Sequence, residues 1–171
     1  MHRLVGTYHA RQVDRSIGHD GNLVDNGRVR LHFQLGAKYG FVIRNMSDED
    51  LFPYLLYFDP DQYTIQVSYQ PWYLPENPHF RPLPRNGSVS VGMASEPAFE
   101  FGLEPGEQTN SGFLKLFVST EYFDLGWTRR WTSPFDSKVQ ITPVPEKPFA
   151  DARRWDAVHV VLTMTSGYSG L

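Results

Sequence analysis

The chain has 171 residues, with 16 Lys and Arg against 19 Asp and Glu for a formal charge of −3, and that length suffices for one domain with an apolar core of its own. So balanced a charge offers no basic face to nucleic acid and no polybasic run to an anionic membrane. The absence of cysteine excludes disulfides, thiolate nucleophiles, iron–sulfur clusters and Cys-type zinc sites.

No window approaches the ~18 apolar residues of a membrane span. The opening Met-His-Arg-Leu-Val-Gly-Thr-Tyr-His-Ala lacks the apolar stretch of a signal peptide. With no disulfides available, a cytoplasmic location is the expectation. The initiating Met and the polar 27-residue lead favour a natural stand-alone chain over a fragment. The glycosylation sequons Asn45-Met46-Ser47 and Asn86-Gly87-Ser88 read as chance matches beside turns.

Twelve Phe, nine Tyr and four Trp, cut by 14 Gly and 13 Pro, are the composition of a sandwich or barrel. Residues 1–27 are polar, with turn signals at His19-Asp20-Gly21-Asn22 and Asn26-Gly27 and room for one short strand near Leu4–Tyr8. Val29, Leu31, Phe33 and Leu35 alternate with polar residues, and Tyr39, Phe41 and Ile43 continue the period of two after a Gly36–Lys38 turn. The pattern predicts a hairpin. The continuous run Pro53–Phe58 suits a strand buried on both faces, followed by an Asp59-Pro60-Asp61 turn and an alternating strand at Tyr63, Ile65 and Val67.

Five prolines between 69 and 87 predict a long irregular connection. Val89–Met93, Phe99–Leu103 and Phe113–Ser119 read as further strands, the last two joined by a Glu104-Pro105-Gly106-Glu107 turn. Residues 120–131 fit a helical turn or an edge excursion, and residues 133–154 are again Pro-rich. Ala157–Thr165 closes the series, with Val158, Val160, Leu162 and Met164 on one face. The fold expected is all-β: a single domain over 1–171, a two-sheet antiparallel β-sandwich, Ig-like or C2-like, of about eight strands with long Pro-rich loops.

The string Phe41-Val42-Ile43-Arg44-Asn45-Met46-Ser47-Asp48-Glu49-Asp50-Leu51-Phe52-Pro53-Tyr54-Leu55-Leu56-Tyr57-Phe58-Asp59 resembles a region found after the protease domain in caspase-like proteins of mushroom-forming fungi. Gly112–Glu121, the spacing to Ser133-Pro134-Phe135, and Trp155-Asp156-Ala157-Val158 resemble it too, so that the likeness runs over roughly residues 28–165. The resemblance implies an accessory, non-catalytic domain in a cell-death or defence setting. It brings no protease activity, because the chain has neither a caspase-type catalytic domain nor a thiol.

Catalytic patterns are weak. Gly87-Ser88-Val89-Ser90-Val91-Gly92 has its glycines misplaced for a nucleophile elbow, and Gly167-Tyr168-Ser169-Gly170 lies at a terminus. Phosphate-binding glycine loops are absent. The six histidines are scattered without metal-ligand spacing, and His32 and His159 fall on the polar phase of their strands. Asp48, Glu49 and Asp50 precede the Pro53–Phe58 strand, and Asp59 and Asp61 follow it. At about 3.3 Å per residue the two groups lie at opposite ends, so that Asp59 and Asp61 are the sole calcium candidates, and loop solubility explains them better. No cofactor is expected.

Binding is the stronger expectation. Tyr69, Trp72, Tyr73, His79 and Phe80, interleaved with prolines, form an aromatic loop suited to a protein or glycan partner. Trp127, Arg129, Arg130 and Trp131, with Arg153, Arg154 and Trp155, form a second patch capable of Arg–Trp stacking. Within it, Trp155 is expected in the core at the start of the last strand. The reading is a recognition domain without enzymatic activity, with a lectin-like protein and a C2-like calcium or lipid binder as alternatives, and an exposed edge strand could pair two copies.

Overall fold

A computed structural model describes residues 1–9, 12–17, 21–71, 83–93, 97–123, 125 and 154–167 of the chain. The described residues are all β, and among them there is no helix and hence none long and apolar enough to cross a membrane. They form nine strands: β1 (His2–His9), β2 (Gln12–Ile17), β3 (Arg28–His32), β4 (Lys38–Arg44), β5 (Phe52–Asp59), β6 (Thr64–Tyr69), β7 (Ser88–Val91), β8 (Thr109–Ser119) and β9 (Trp155–Thr165). One sheet has the order β2-β1-β4-β7 and the other β3-β9-β8-β5-β6, the two-sheet arrangement that a β-sandwich requires. The chain divides into two compact units, the first Met1–Ile43, Ser88–Ser111 and Val160–Leu171, the second Arg44–Gly87 and Gly112–His159.

In the first unit, β1 pairs antiparallel with β2 from Leu4↔Ile17 to His9↔Gln12, and with β4 from His2↔Gly40 to Leu4↔Lys38. Val29 and Leu31 of β3 are buried while Arg28, Arg30 and His32 are exposed, as the period of two dictates. The expected β3–β4 hairpin does not form. β3 ends at His32, Leu35 is 89 % exposed, and after a turn closed by Ala37 N–H on Gln34 O (3.0 Å) the chain enters the other sheet as β4. β3 pairs instead with β9, in parallel, from Arg28↔Val161 to His32↔Thr165. The sheets are therefore not wholly antiparallel. Alternation reports which side chains face the core and is silent on which strand lies alongside.

The expected strand at Phe99–Leu103 reduces to a single bridge, Phe99 exchanging backbone hydrogen bonds of 2.9 and 3.0 Å with Tyr39. Its apolar alternation serves ring packing: Phe99 meets Phe41 edge-on at 4.9 Å, and Phe101 meets Tyr39 at 5.7 Å.

In the second unit, β5 lies between β8 and β6. It pairs antiparallel with β8 from Phe52↔Ser119 to Phe58↔Phe113 and with β6 from Leu55↔Tyr69 to Asp59↔Thr64. Phe52 to Leu56 are all buried, so this strand is covered on both faces as its unbroken apolar run predicts. Pro53 is tolerated because the ladder with β6 begins only at Leu55, which leaves no bond on that side for the missing N–H to break. Phe52, Tyr54, Leu56, Val67 and Leu125 form the core, with Phe58, Ile65, Phe117, Tyr122 and Phe123 packed on it. Tyr54 is fully buried, and its phenol oxygen accepts the Phe123 N–H at 2.6 Å.

Gly112 in β8 makes room for Tyr57, since a Cβ there would come within 2.5 Å of the ring at Cε2. Burial first, then the carboxylates of Asp59 and Asp61, push the Tyr57 phenol up to about 12. Gly112→Ala is expected to cost about 1–3 kcal/mol by forcing the ring off its seat, read as a lower denaturant midpoint at unchanged slope. An unchanged midpoint would mean that the ring is not confined there.

Candidate functional site

The site begins with one buried amide. Asn45 follows β4, is 3 % exposed, and uses its side chain completely. Its Nδ2 donates to Glu49 O (2.5 Å) and Pro84 O (3.2 Å), and its Oδ1 accepts the Ser47 N–H (2.9 Å) and the Ser47 hydroxyl (2.7 Å). Its backbone N–H donates to Gly87 O at 2.9 Å. One side chain thus ties the loop before β5 to the turn at residues 84–87. Engaged and buried, Asn45 is no glycan acceptor in the folded chain, whereas Asn86 of the second sequon is exposed on that turn at φ 55.

Asp50 reinforces the same tie. Its Oδ1 accepts the Arg85 N–H at 2.8 Å and lies 3.6 Å from Arg85 Nε. Leu51 N–H donates to Leu83 O at 2.9 Å. The loop carrying Met46 to Asp50 is therefore held from both ends before it enters β5.

At the end of β8, the Thr120 N–H (3.1 Å) and hydroxyl (3.4 Å) both donate to the carbonyl oxygen of Arg154. That carbonyl fixes the backbone where β9 starts, and the Arg154 guanidinium pairs with the Glu49 carboxylate. The loop before β5, the end of β8 and the start of β9 together enclose an open cleft of about 980 Å³. The loop contributes Met46 to Glu49 and Leu51, β8 contributes Val118 and Thr120 at its end, and the start of β9 contributes Arg154, Trp155 and Asp156. An adjoining hollow of about 590 Å³ shares Asp48, Glu49, Thr120 and Arg154 and adds Asp50, Arg85 and Glu121.

Two large apolar side chains stand in water at this cleft, Met46 at 84 % and Trp155 at 57 % exposure. Trp155 is therefore not a core residue as expected. The first five residues of β9 are exposed or half-buried, and the strand is fully buried only further along, at Leu162 and Met164. The two hydroxyls among the described lining residues serve structural hydrogen bonds. The Ser47 hydroxyl donates to Asn45 Oδ1, the Thr120 hydroxyl to a backbone carbonyl, and no histidine is among the described lining residues.

The aromatic loop is only partly placed. Tyr69 ends β6 and is half-buried, while Trp72, Tyr73, His79 and Phe80 lie outside the described residues, as do Trp127, Arg129, Arg130 and Trp131. Asp59 and Asp61 stand at the far end of β5 from Asp48–Asp50, as the strand length demands. Asp59 Oδ1 accepts the N–H groups of Asp61 (3.0 Å) and Gln62 (2.9 Å), a turn role. Among the described residues no three His, Asp or Glu gather to hold a metal. Sequence reasoning singled out Asp48, Glu49, Asp50, Arg154 and Trp155, but in separate groups, and it passed over Met46, Asp156 and the tie made by Asn45. Compared with protein-family models, with curated proteins and with solved structures, the chain matches none.

Proposed function

We propose that the chain is a recognition domain without enzymatic activity, which binds its partner in the cleft formed by the loop before β5, the end of β8 and the start of β9. The observation that carries this reading is the exposure of Trp155 and Met46 in one cleft whose backbone is pinned on both sides. Exposed apolar side chains grouped at a concavity mark binding surfaces, and a rigid frame lowers the ordering cost of association. The hydroxyls in the cleft are committed to structural hydrogen bonds, which favours binding over catalysis. The likeness to the caspase-associated fungal region adds a setting, recognition beside a cell-death protease, by analogy alone.

A lectin-like function is the second reading, favoured by the exposed Trp155 ring in a cleft that Arg154 and Asp156 also line, a stacking face in one concavity with polar groups that can bond sugar hydroxyls. Both readings put the contact in one place. Amide chemical shifts of the isotope-labelled chain, titrated with neutral oligosaccharides and with short acidic, basic and neutral peptides, are expected to move at Ser47–Glu49, Thr120 and Asp156. Shifts confined to other surfaces would overturn the assignment of the site.

A further inference from the structure

The charges of the cleft are unequal, and the inequality identifies a ligand class. Glu49 is answered by Arg154, and Asp50 of the adjoining hollow by Arg85. Asp48 and Asp156 line the same cleft, both exposed, and neither has an ion pair among the described residues. The Asp156 carboxylate accepts one hydrogen bond among the described residues, a local one from the Ala157 N–H to its Oδ1 at 2.7 Å. Among the described residues two carboxylates therefore have no cationic partner, and they share the cleft with two exposed apolar groups, the Met46 thioether and the Trp155 indole.

We infer that the cleft binds a Lys- or Arg-containing segment of a partner protein, an inference that rests on the recognition reading above. A long cationic side chain has an apolar stem and a charged head. The stem packs on Met46 and Trp155, the head sits against the indole face as a cation–π contact and is held by Asp48 and Asp156. The Arg154 guanidinium has five N–H donors, is 71 % exposed, and gives one nitrogen to Glu49. Its other donors suit the backbone carbonyls of an extended segment. The volume of about 980 Å³ holds several side chains rather than one. A neutral sugar would use the ring and the polar groups but would draw nothing from the surplus negative charge.

The test uses the full chain and three probes: a short fluorescein-labelled peptide of alternating Lys and Leu, its Glu-for-Lys counterpart, and neutral oligosaccharides followed by calorimetry. The basic peptide is expected to bind, with affinity falling about tenfold or more both on Trp155→Ala and on the double change Asp48→Asn with Asp156→Asn. Raising the salt from low to half-molar should weaken it comparably. Melting curves of the exposed-site variants should match that of the unmodified chain, which separates lost binding from lost folding. Equal binding of the acidic peptide, indifference to the two Asp changes, or no binding of the basic peptide would overturn the inference. Sugar binding that is lost on Trp155→Ala yet insensitive to salt would overturn it in favour of a glycan while keeping the cleft. Probe binding that Trp155→Ala leaves untouched would remove the cleft reading itself.

Discussion

Asn45→Ala is expected to destabilise the chain by about 2–4 kcal/mol, the sum of several modest bonds and of partners left unpaired near a buried site. The side chain makes four hydrogen bonds, to Glu49 O, Pro84 O, the Ser47 N–H and the Ser47 hydroxyl. At about 2–4 °C per kcal/mol for a chain of this size, the melting temperature should fall by roughly 4–16 °C. The loss should be local as well as global, with Ser47 to Glu49 amides exchanging faster with solvent than those of β5. Asn45→Asp sharpens the argument. It keeps an acceptor for Ser47 but points a carboxylate oxygen at two carbonyls, which raises the folded-state pKa of the new carboxyl above its unfolded value. The unfolded state then releases the proton first, so the penalty relative to the parent chain should grow as pH rises from about 4 toward neutrality and then level off. A penalty that shrinks with rising pH would show that the side chain does not face Glu49 O and Pro84 O.

Tyr54→Ala should be still more costly, about 3–5 kcal/mol, because it opens a cavity at the centre of the second unit's core. Tyr54 is fully buried and packs with Phe52, Leu56, Val67 and Leu125, with Tyr122 at a ring distance of 6.5 Å. Tyr54→Phe keeps the ring and removes only the oxygen that accepts the Phe123 N–H at 2.6 Å. Its cost should be about 1–2 kcal/mol, so the pair of variants divides packing from hydrogen bonding. Denaturant unfolding of both, with equal slopes, gives the two numbers. A Tyr54→Phe variant as stable as the parent would deny the phenol a role in holding residues 121–123 against β5.

The faces of the strands were legible in the residues, and their neighbours were not. Tyr39, Phe41 and Ile43 are buried as their alternation predicts, and Phe52 to Leu56 are buried on both faces as an unbroken apolar run should be. The partner of β3 was illegible, because a parallel pairing with a distant strand leaves no local turn signal. The site suffered from the same limit. Glu49 and Arg154 are 105 positions apart, and nothing in either neighbourhood announces the other. Trp155 was misplaced for a different reason. An aromatic residue opening a strongly apolar strand is usually core, yet only the later part of β9 is buried, at Leu162 and Met164. Asn45 was hidden by its own motif, since a sequon invites a surface reading while the amide serves as an internal fastener.

The parallel pair β3–β9 sets when the protein can become itself during synthesis. Its members His32 and Thr165 are 133 positions apart, and among the described residues β9 is the one strand beside β3 in its sheet. Val29 and Leu31 on the nascent chain must therefore wait for Leu162 and Met164, the residues that register with them, to leave the ribosome. Until then β3 carries two apolar side chains and an unpaired edge, the combination that invites association between unfinished copies. Contacts of such long range also make for slow closure once the last strand has emerged. Arg28 and Arg30, which alternate with the apolar pair along β3 and are exposed in the finished fold, put charge on that waiting segment and so guard it through the interval.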